Sequence, residues 1–192
     1  TDQDLADAFG INVSEVGLGD AYEFVASSTG FDGSVVNVNT ASQDIISESG
    51  QKAAYSFSAL IVCPLPAGYF SGDYQYTLVS TDNGFGPVFG NDQPVVVVEK
   101  NVFQRTMSVE YLQHLGIGAP PIDFEINFLC GDSFPTDNQS SNLACGGGIF
   151  LSNGGAVPYN EADDTSLNVN ILEDFPVGSP CGGDYNAVIN LA

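Results

Sequence analysis

Basic side chains are what this sequence most conspicuously lacks. Its 192 residues hold 3 Lys and Arg against 24 Asp and Glu, a formal net charge of −21, with a sequence pI near 4.1. Binding DNA or RNA by phosphate neutralisation needs Lys and Arg in quantity, so nucleic-acid partners are excluded. Adhesion to an anionic leaflet through a polybasic segment is excluded for the same reason. Histidine is nearly absent, with His114 the single one. That removes His-based zinc and haem sites on numbers alone and leaves one base for any Ser-His or Cys-His nucleophile. There is no tryptophan, which weakens a glycosidase built on two carboxylates and aromatic subsites. No Gly-x-Ser-x-Gly elbow, P-loop or dinucleotide fingerprint occurs, and the chain is expected not to be an enzyme. No apolar run approaches the roughly 18–20 residues of a membrane helix, so direct membrane insertion is not expected.

What is present points to a folded domain. Hydrophobic residues make up 43% and aromatics 11% of the chain, enough for a sizeable core, while charged residues total only 14%. The acid excess thus arises from missing bases, and the surface is largely neutral-polar rather than disordered. Four cysteines without a C-x-x-C pair suit two disulfides in an oxidising compartment better than a zinc ribbon or thioredoxin-type site. The opening Thr1-Asp2-Gln3 reads as a processed, secreted chain, so an extracellular or cell-surface location is expected.

The dominant periodicity is two. Tyr55-Phe57-Ala59-Ile61-Cys63, Tyr74-Tyr76-Leu78, Phe124-Ile126-Phe128-Cys130, Leu167-Val169-Ile171 and Tyr185-Ala187-Ile189-Leu191 each predict a strand with one buried face. Turn residues punctuate them, as at Asp82-Asn83-Gly84 and Gly131-Asp132. Val95–Val98 is apolar on both faces and predicts a central strand. The fold class expected is all-β, an antiparallel β-sandwich. Residues 2–9 predict two helical turns, and 108–115 fit either a helix or a strand.

Gly72-Asp73-Tyr74 and Gly183-Asp184-Tyr185 open two similar strands, each closing about half the chain. This predicts two tandem modules, 1–90 and 91–192, with Gly84 to Gln93 as linker; one domain holding both strands is the alternative. The closing strand from Gly183 to Ala192, echoed at Gly72, resembles the final strand of pilin-type, Ig-like modules of secreted filaments. That resemblance implies a β-sandwich subunit polymerised by strand exchange, a homopolymer of copies of itself. Phe9, Ile11 and Val13 alternate with small or polar residues and predict a short N-terminal strand, paired within its own sheet or donated to a neighbour.

Among the three cysteine connectivities, Cys130 with Cys145 is the most local pair, leaving Cys63 with Cys181 to join the halves. Calcium is the candidate cation, since loops offer hard oxygen ligands at Asp132 with Asp137 and at Glu161, Asp163 and Asp164, although no EF-hand spacing occurs. Asn12-Val13-Ser14 and Asn138-Gln139-Ser140 are candidate glycosylation sequons. Two functions follow: a structural subunit of an extracellular filament, tolerant of high salt because few interchain ion pairs are available, or a surface binding module for glycans or another cell-surface ligand. In the second, Tyr69, Tyr74 and Tyr159 are the candidates for stacking on sugars. The three cations, Lys52, Lys100 and Arg105, are few enough that each needs locating.

Overall fold

The computed structural model describes residues 2–17, 20–42, 55–61 and 63–192. They form two compact units, Thr1–Val62 and Cys63–Ala192. The first opens with helix α1 (Asp2–Phe9) and a 3-10 turn (Val13–Glu15), followed by β1 (Ala21–Val25), β2 (Ser28–Thr29), β3 (Val35–Val36) and β4 (Ser56–Leu60). β1 and β4 pair antiparallel with Phe24 opposite Phe57, and those two rings stack at 4.8 Å.

Here the expected donor strand is corrected. Phe9 ends α1 and Val13 starts the 3-10 turn, so residues 9–13 form no strand. Gly10 takes the left-handed φ of 65° that stops the helix. The Glu15 carboxylate then accepts hydrogen bonds from the Asn12 backbone N–H at 2.7 Å and from its side chain at 3.0 Å, which fixes the turn. Phe9 packs on Tyr22 and Phe24, ring centroids 5.1 and 6.2 Å apart, within its own unit.

The second unit holds β5 (Gly72–Thr81), β6 (Gln93–Asn101), β7 (Gln104–Val109), β8 (Ile122–Leu129), β9 (Asp132–Pro135), β10 (Gln139–Ala144), β11 (Gly148–Asn153), β12 (Val157–Pro158), β13 (Leu167–Asp174) and β14 (Tyr185–Leu191). All ten join one antiparallel sheet in the order β10-β11-β13-β14-β5-β6-β7-β8-β9-β12. The sheet rolls into a half-barrel that brings β9 against β13 and β10 against β8. Gln139 holds this curl: its amide accepts from the Glu125 N–H at 2.6 Å and donates to the Glu125 carbonyl at 3.0 Å, completing a ladder across the gap.

In this second unit the alternating rows face inward, whereas in the row expected over residues 55–63 Phe57 is 53% exposed. Tyr76, Phe124, Ile126, Phe128, Val169, Ile171 and Ile189 are each fully buried, and burying a side chain of this size contributes about 1.5–3 kcal/mol. The two Gly-Asp-Tyr strands are neighbours in this sheet, with Ile189 opposite Leu78 and Leu191 opposite Tyr76. The boundary expected at residue 90 therefore falls inside one sheet, since β5 also pairs with β6 across it. The expected linker is core: Val88 and Phe89 are both 0% exposed. β6 is central in order, yet Val96 and Val98 are 58% and 53% exposed, so only one of its faces is covered. Residues 108–115 split between the end of β7 and a 3-10 turn at Gln113–Leu115.

The cysteines pair Cys63 with Cys130 and Cys145 with Cys181, which corrects the local Cys130–Cys145 bridge and the Cys63–Cys181 staple. Cys130 sits in a two-residue hairpin between β8 and β9 with φ of 51°, and Gly131 follows at 99°, as a type I′ turn requires. β9 and β10 then diverge, because β9 pairs with β8 and β10 with β11. The two bridges span 67 and 36 residues, and closing loops of those lengths contributes about 4 kcal/mol each in the chain-entropy model. Two disulfides belong to an oxidising environment. Among the described residues no helix is long and apolar enough to cross a membrane.

Candidate functional site

Three tyrosines from distant parts of the second unit converge at one end of the sheet. Tyr69 lies on a tight loop, its N–H bonded to the Pro66 carbonyl at 3.1 Å. The next residue, Phe70, adopts φ 50° and drives its ring into the core, stacked on Phe128 at 5.0 Å and edge-on to Tyr159 at 5.4 Å. An apolar anchor thus offsets the cost of a left-handed non-glycine residue. Arg105, 0% exposed, fixes the loop from beneath. Its Nε donates to the Tyr69 carbonyl at 2.7 Å, and its Nη1 donates to the carbonyls of Asn101 at 2.7 Å and Gln104 at 3.0 Å. Burial lowers the Arg105 pKa, while the Glu99 carboxylate, 3.8 Å from Nη2, opposes that shift. Glu99 also accepts from the Gly68 N–H at 3.0 Å.

Tyr159 is positioned by the Cys130 hairpin. Its N–H donates to the Gly131 carbonyl at 2.8 Å, and its hydroxyl accepts from the Gly131 N–H at 3.3 Å. The chain then forms an acidic loop over 160–165, shaped by its own side chains: Asn160 accepts from the Ala162 N–H at 3.0 Å, and Asp163 from the N–H and hydroxyl of Thr165 at 3.0 and 2.7 Å. Tyr69 donates to the Asn160 carbonyl at 3.4 Å and Tyr74 to the Asp164 carbonyl at 2.5 Å. Two clefts flank this loop. One, of about 360 Å³, is lined by Cys63, Pro64, Leu65, Pro66, Tyr69, Tyr159 and Glu161; the other, of about 340 Å³, by Ser71, Asp73, Tyr74, Asp164, Thr165 and Ala192. Both lie at the lower end of the roughly 300–1,000 Å³ of small-ligand sites.

Acidic groups dominate the electrostatics: burial and Asp164 raise the Tyr74 pKa, with the Arg105 charge opposing. Burial raises the Tyr69 hydroxyl pKa, and the charges of Asp164, Asp163 and Glu161 add to the rise. Tyr159 is raised by burial, opposed by its Gly131 hydrogen bond, with Glu161 and Asp132 contributing. Asp163 is held below the usual carboxylate range by its Thr165 hydrogen bonds. Of the sequence-predicted metal residues, Asp137 is engaged with the Asn153 N–H at 3.0 Å, and Asp132 belongs to β9. Among the described residues no three His, Cys, Asp or Glu side chains stand together as a metal site. The sequons sit in turns: Asn12 precedes the 3-10 turn with its amide tied to Glu15, and exposed Asn138 holds φ 57° between β9 and β10.

Lys100 pairs with Glu125, and Lys52 lies outside the described residues. His114 directs Nε2 to the Phe85 carbonyl at 2.8 Å; a carbonyl only accepts, so this nitrogen carries the proton and the ring ties down a loop. Sequence reasoning missed two buried groups, Arg105 and Glu173, both 0% exposed. Glu173 accepts from Tyr111 at 2.5 Å and from the Asn83 amide at 2.7 Å. Burial raises its pKa against the pull of those two hydrogen bonds, with the Asp82 charge adding to the rise. A charged residue on the inward parity of an alternating strand, as Arg105 is beside Met107 and Val109, was the available signal.

No family model matches this chain, and neither the curated proteins nor the solved structures compared with it give a match. The cleft's own chemistry therefore carries the functional reading.

Proposed function

We propose that this protein is a secreted β-sheet module that binds a glycan or another cell-surface ligand in the clefts around Tyr69, Tyr74 and Tyr159. The carrying observation is the convergence of these rings, 90 residues apart in sequence between Tyr69 and Tyr159, around the 160–165 loop to which Tyr69 and Tyr74 bond, while Arg105 pins the Tyr69 loop from below. Aromatic walls supply area for a sugar face at small entropic cost, and fixed polar groups orient it. Two disulfides, one of them at the cleft through Cys63, support an extracellular setting. A glycan array read with wild-type protein and with Tyr69→Ala tests this. Specific binding that the variant loses is the expected result; no specific glycan, or binding unchanged in Tyr69→Ala, sinks it.

A second reading, a homopolymeric filament subunit, draws on a different observation. Val96 and Val98 are 58% and 53% exposed on the outward face of β6, an apolar pair available for lateral contact. This reading needs no donated strand. Negative-stain microscopy should show fibres that Val96→Asp with Val98→Asp abolishes; dispersed particles in the wild type count against it.

A further inference from the structure

We infer that the ligand is an oligomer of amino sugars, whose ring faces lie on the tyrosines and whose ammonium groups pair with Glu161 and Asp164. The inference rests on the cleft reading and names its ligand class. Each of the two clefts combines the same two elements, a tyrosine and a carboxylate: Tyr69 and Tyr159 with Glu161 in one, Tyr74 with Asp164 and Asp73 in the other. The pair of clefts shares one loop, since Tyr69 bonds to Asn160 and Tyr74 to Asp164. A repeated pairing of ring and acid fits a ligand that repeats a ring and a cation.

Charge complementarity decides the sign. Among the described residues the two basic side chains are already engaged, Lys100 with Glu125, and Arg105, beneath the Tyr69 loop, with Glu99 and three carbonyls. Among the described residues no cation pairs with Glu161 or Asp164. Burial raises the Tyr69 hydroxyl pKa and the charges of Asp164, Asp163 and Glu161 add to the rise; an ammonium entering the cleft would offset that negative contribution. An ammonium is also drawn to an aromatic face, so ring and carboxylate act together. A neutral sugar gains the stacking alone, and a flexible cation gains the charge alone.

Titration calorimetry in slightly acidic buffer at moderate salt separates these outcomes. The probes are a glucosamine tetramer, its fully N-acetylated counterpart, which keeps the rings and loses the charge, and tetralysine, which keeps the charge and loses the rings. The glucosamine tetramer should bind at least about tenfold tighter than either, the scale of one lost interaction. Glu161→Gln should weaken the glucosamine tetramer about tenfold and leave the acetylated one unchanged. Asp123→Asn, an equal change of charge at an exposed position of β8 outside both clefts, should leave both unchanged. Tetralysine binding as tightly, or Asp123→Asn costing as much as Glu161→Gln, would reduce the effect to bulk polyanion attraction and overturn the inference. Equal binding of the acetylated tetramer overturns the amino-sugar assignment but leaves the cleft as a glycan site. Binding of every probe unchanged in folded Tyr69→Ala removes the cleft itself.

Discussion

Replacing Arg105 by Met removes the one guanidinium that ties the Tyr69 loop to the sheet. Three hydrogen bonds are lost, to the carbonyls of Tyr69, Asn101 and Gln104. Bonds from a charged donor contribute about 1.5–3 kcal/mol each, so the gross loss is about 5–9 kcal/mol. The variant also escapes the cost of burying a cation, several kcal/mol per ion, and Met fills much of the vacated volume. The net expectation is a destabilisation of about 2–4 kcal/mol, from the difference of those two effects. Arg105→Lys should recover less than half of it, because an ammonium cannot span three carbonyls as the planar fork does. Urea unfolding of the disulfide-intact protein, followed by near-UV circular dichroism, measures both variants. Arg105→Met within about 0.5 kcal/mol of wild type, the range of an ordinary surface change, would refute the role given to this residue.

Four further outcomes follow from the same geometry. Peptide mapping under non-reducing conditions should recover Cys63 linked to Cys130 and Cys145 linked to Cys181; a Cys130–Cys145 peptide contradicts the fold. Glu173 has a folded pKa raised by burial, so its contribution to stability is fully present below its unfolded pKa and is lost as pH rises through the folded one. Wild type minus Glu173→Gln, compared by thermal melts, should therefore move in favour of wild type on acidification through that window; a difference independent of pH rules this out. A Cβ at Gly154 would meet the Ile171 carbonyl carbon at 2.7 Å, so Gly154→Ala should cost about 1–3 kcal/mol, read from the urea midpoint. Val97→Ala, at a buried position, should lower stability by more than 1 kcal/mol, about the scale of losing a buried aliphatic group. Val96→Thr on the exposed face should change it by under about 0.5 kcal/mol; equal effects would contradict the one-sided burial of β6.

The inward rows of β5, β8, β13 and β14 were legible because a period of two survives in any sheet with one covered face. The neighbouring positions of β5 and β14 were not, since pairing is set by long-range contacts that leave no local trace. Gly84 to Gln93 looked like a linker because its glycines and proline mask Val88 and Phe89, which the curled sheet buries. The N-terminal misreading had a readable remedy: Asn12 followed three residues later by Glu15 is the signature of a helix start and outweighs three alternating apolar residues. At the cleft, the tyrosines and the 161–164 acids were each visible as residue types. Their meeting was not, because it depends on the Cys130 turn holding Tyr159 and on a buried arginine that the sequence marks only by parity.

The most direct measurement is a nitrogen–proton correlation spectrum of the labelled protein titrated with the glucosamine tetramer. Saturable shifts concentrated at residues 63–74 and 159–165, absent with tetralysine, are the predicted result. Shifts spread evenly over the exposed acidic residues, or none at Tyr69 and Tyr159, would contradict a built recognition site.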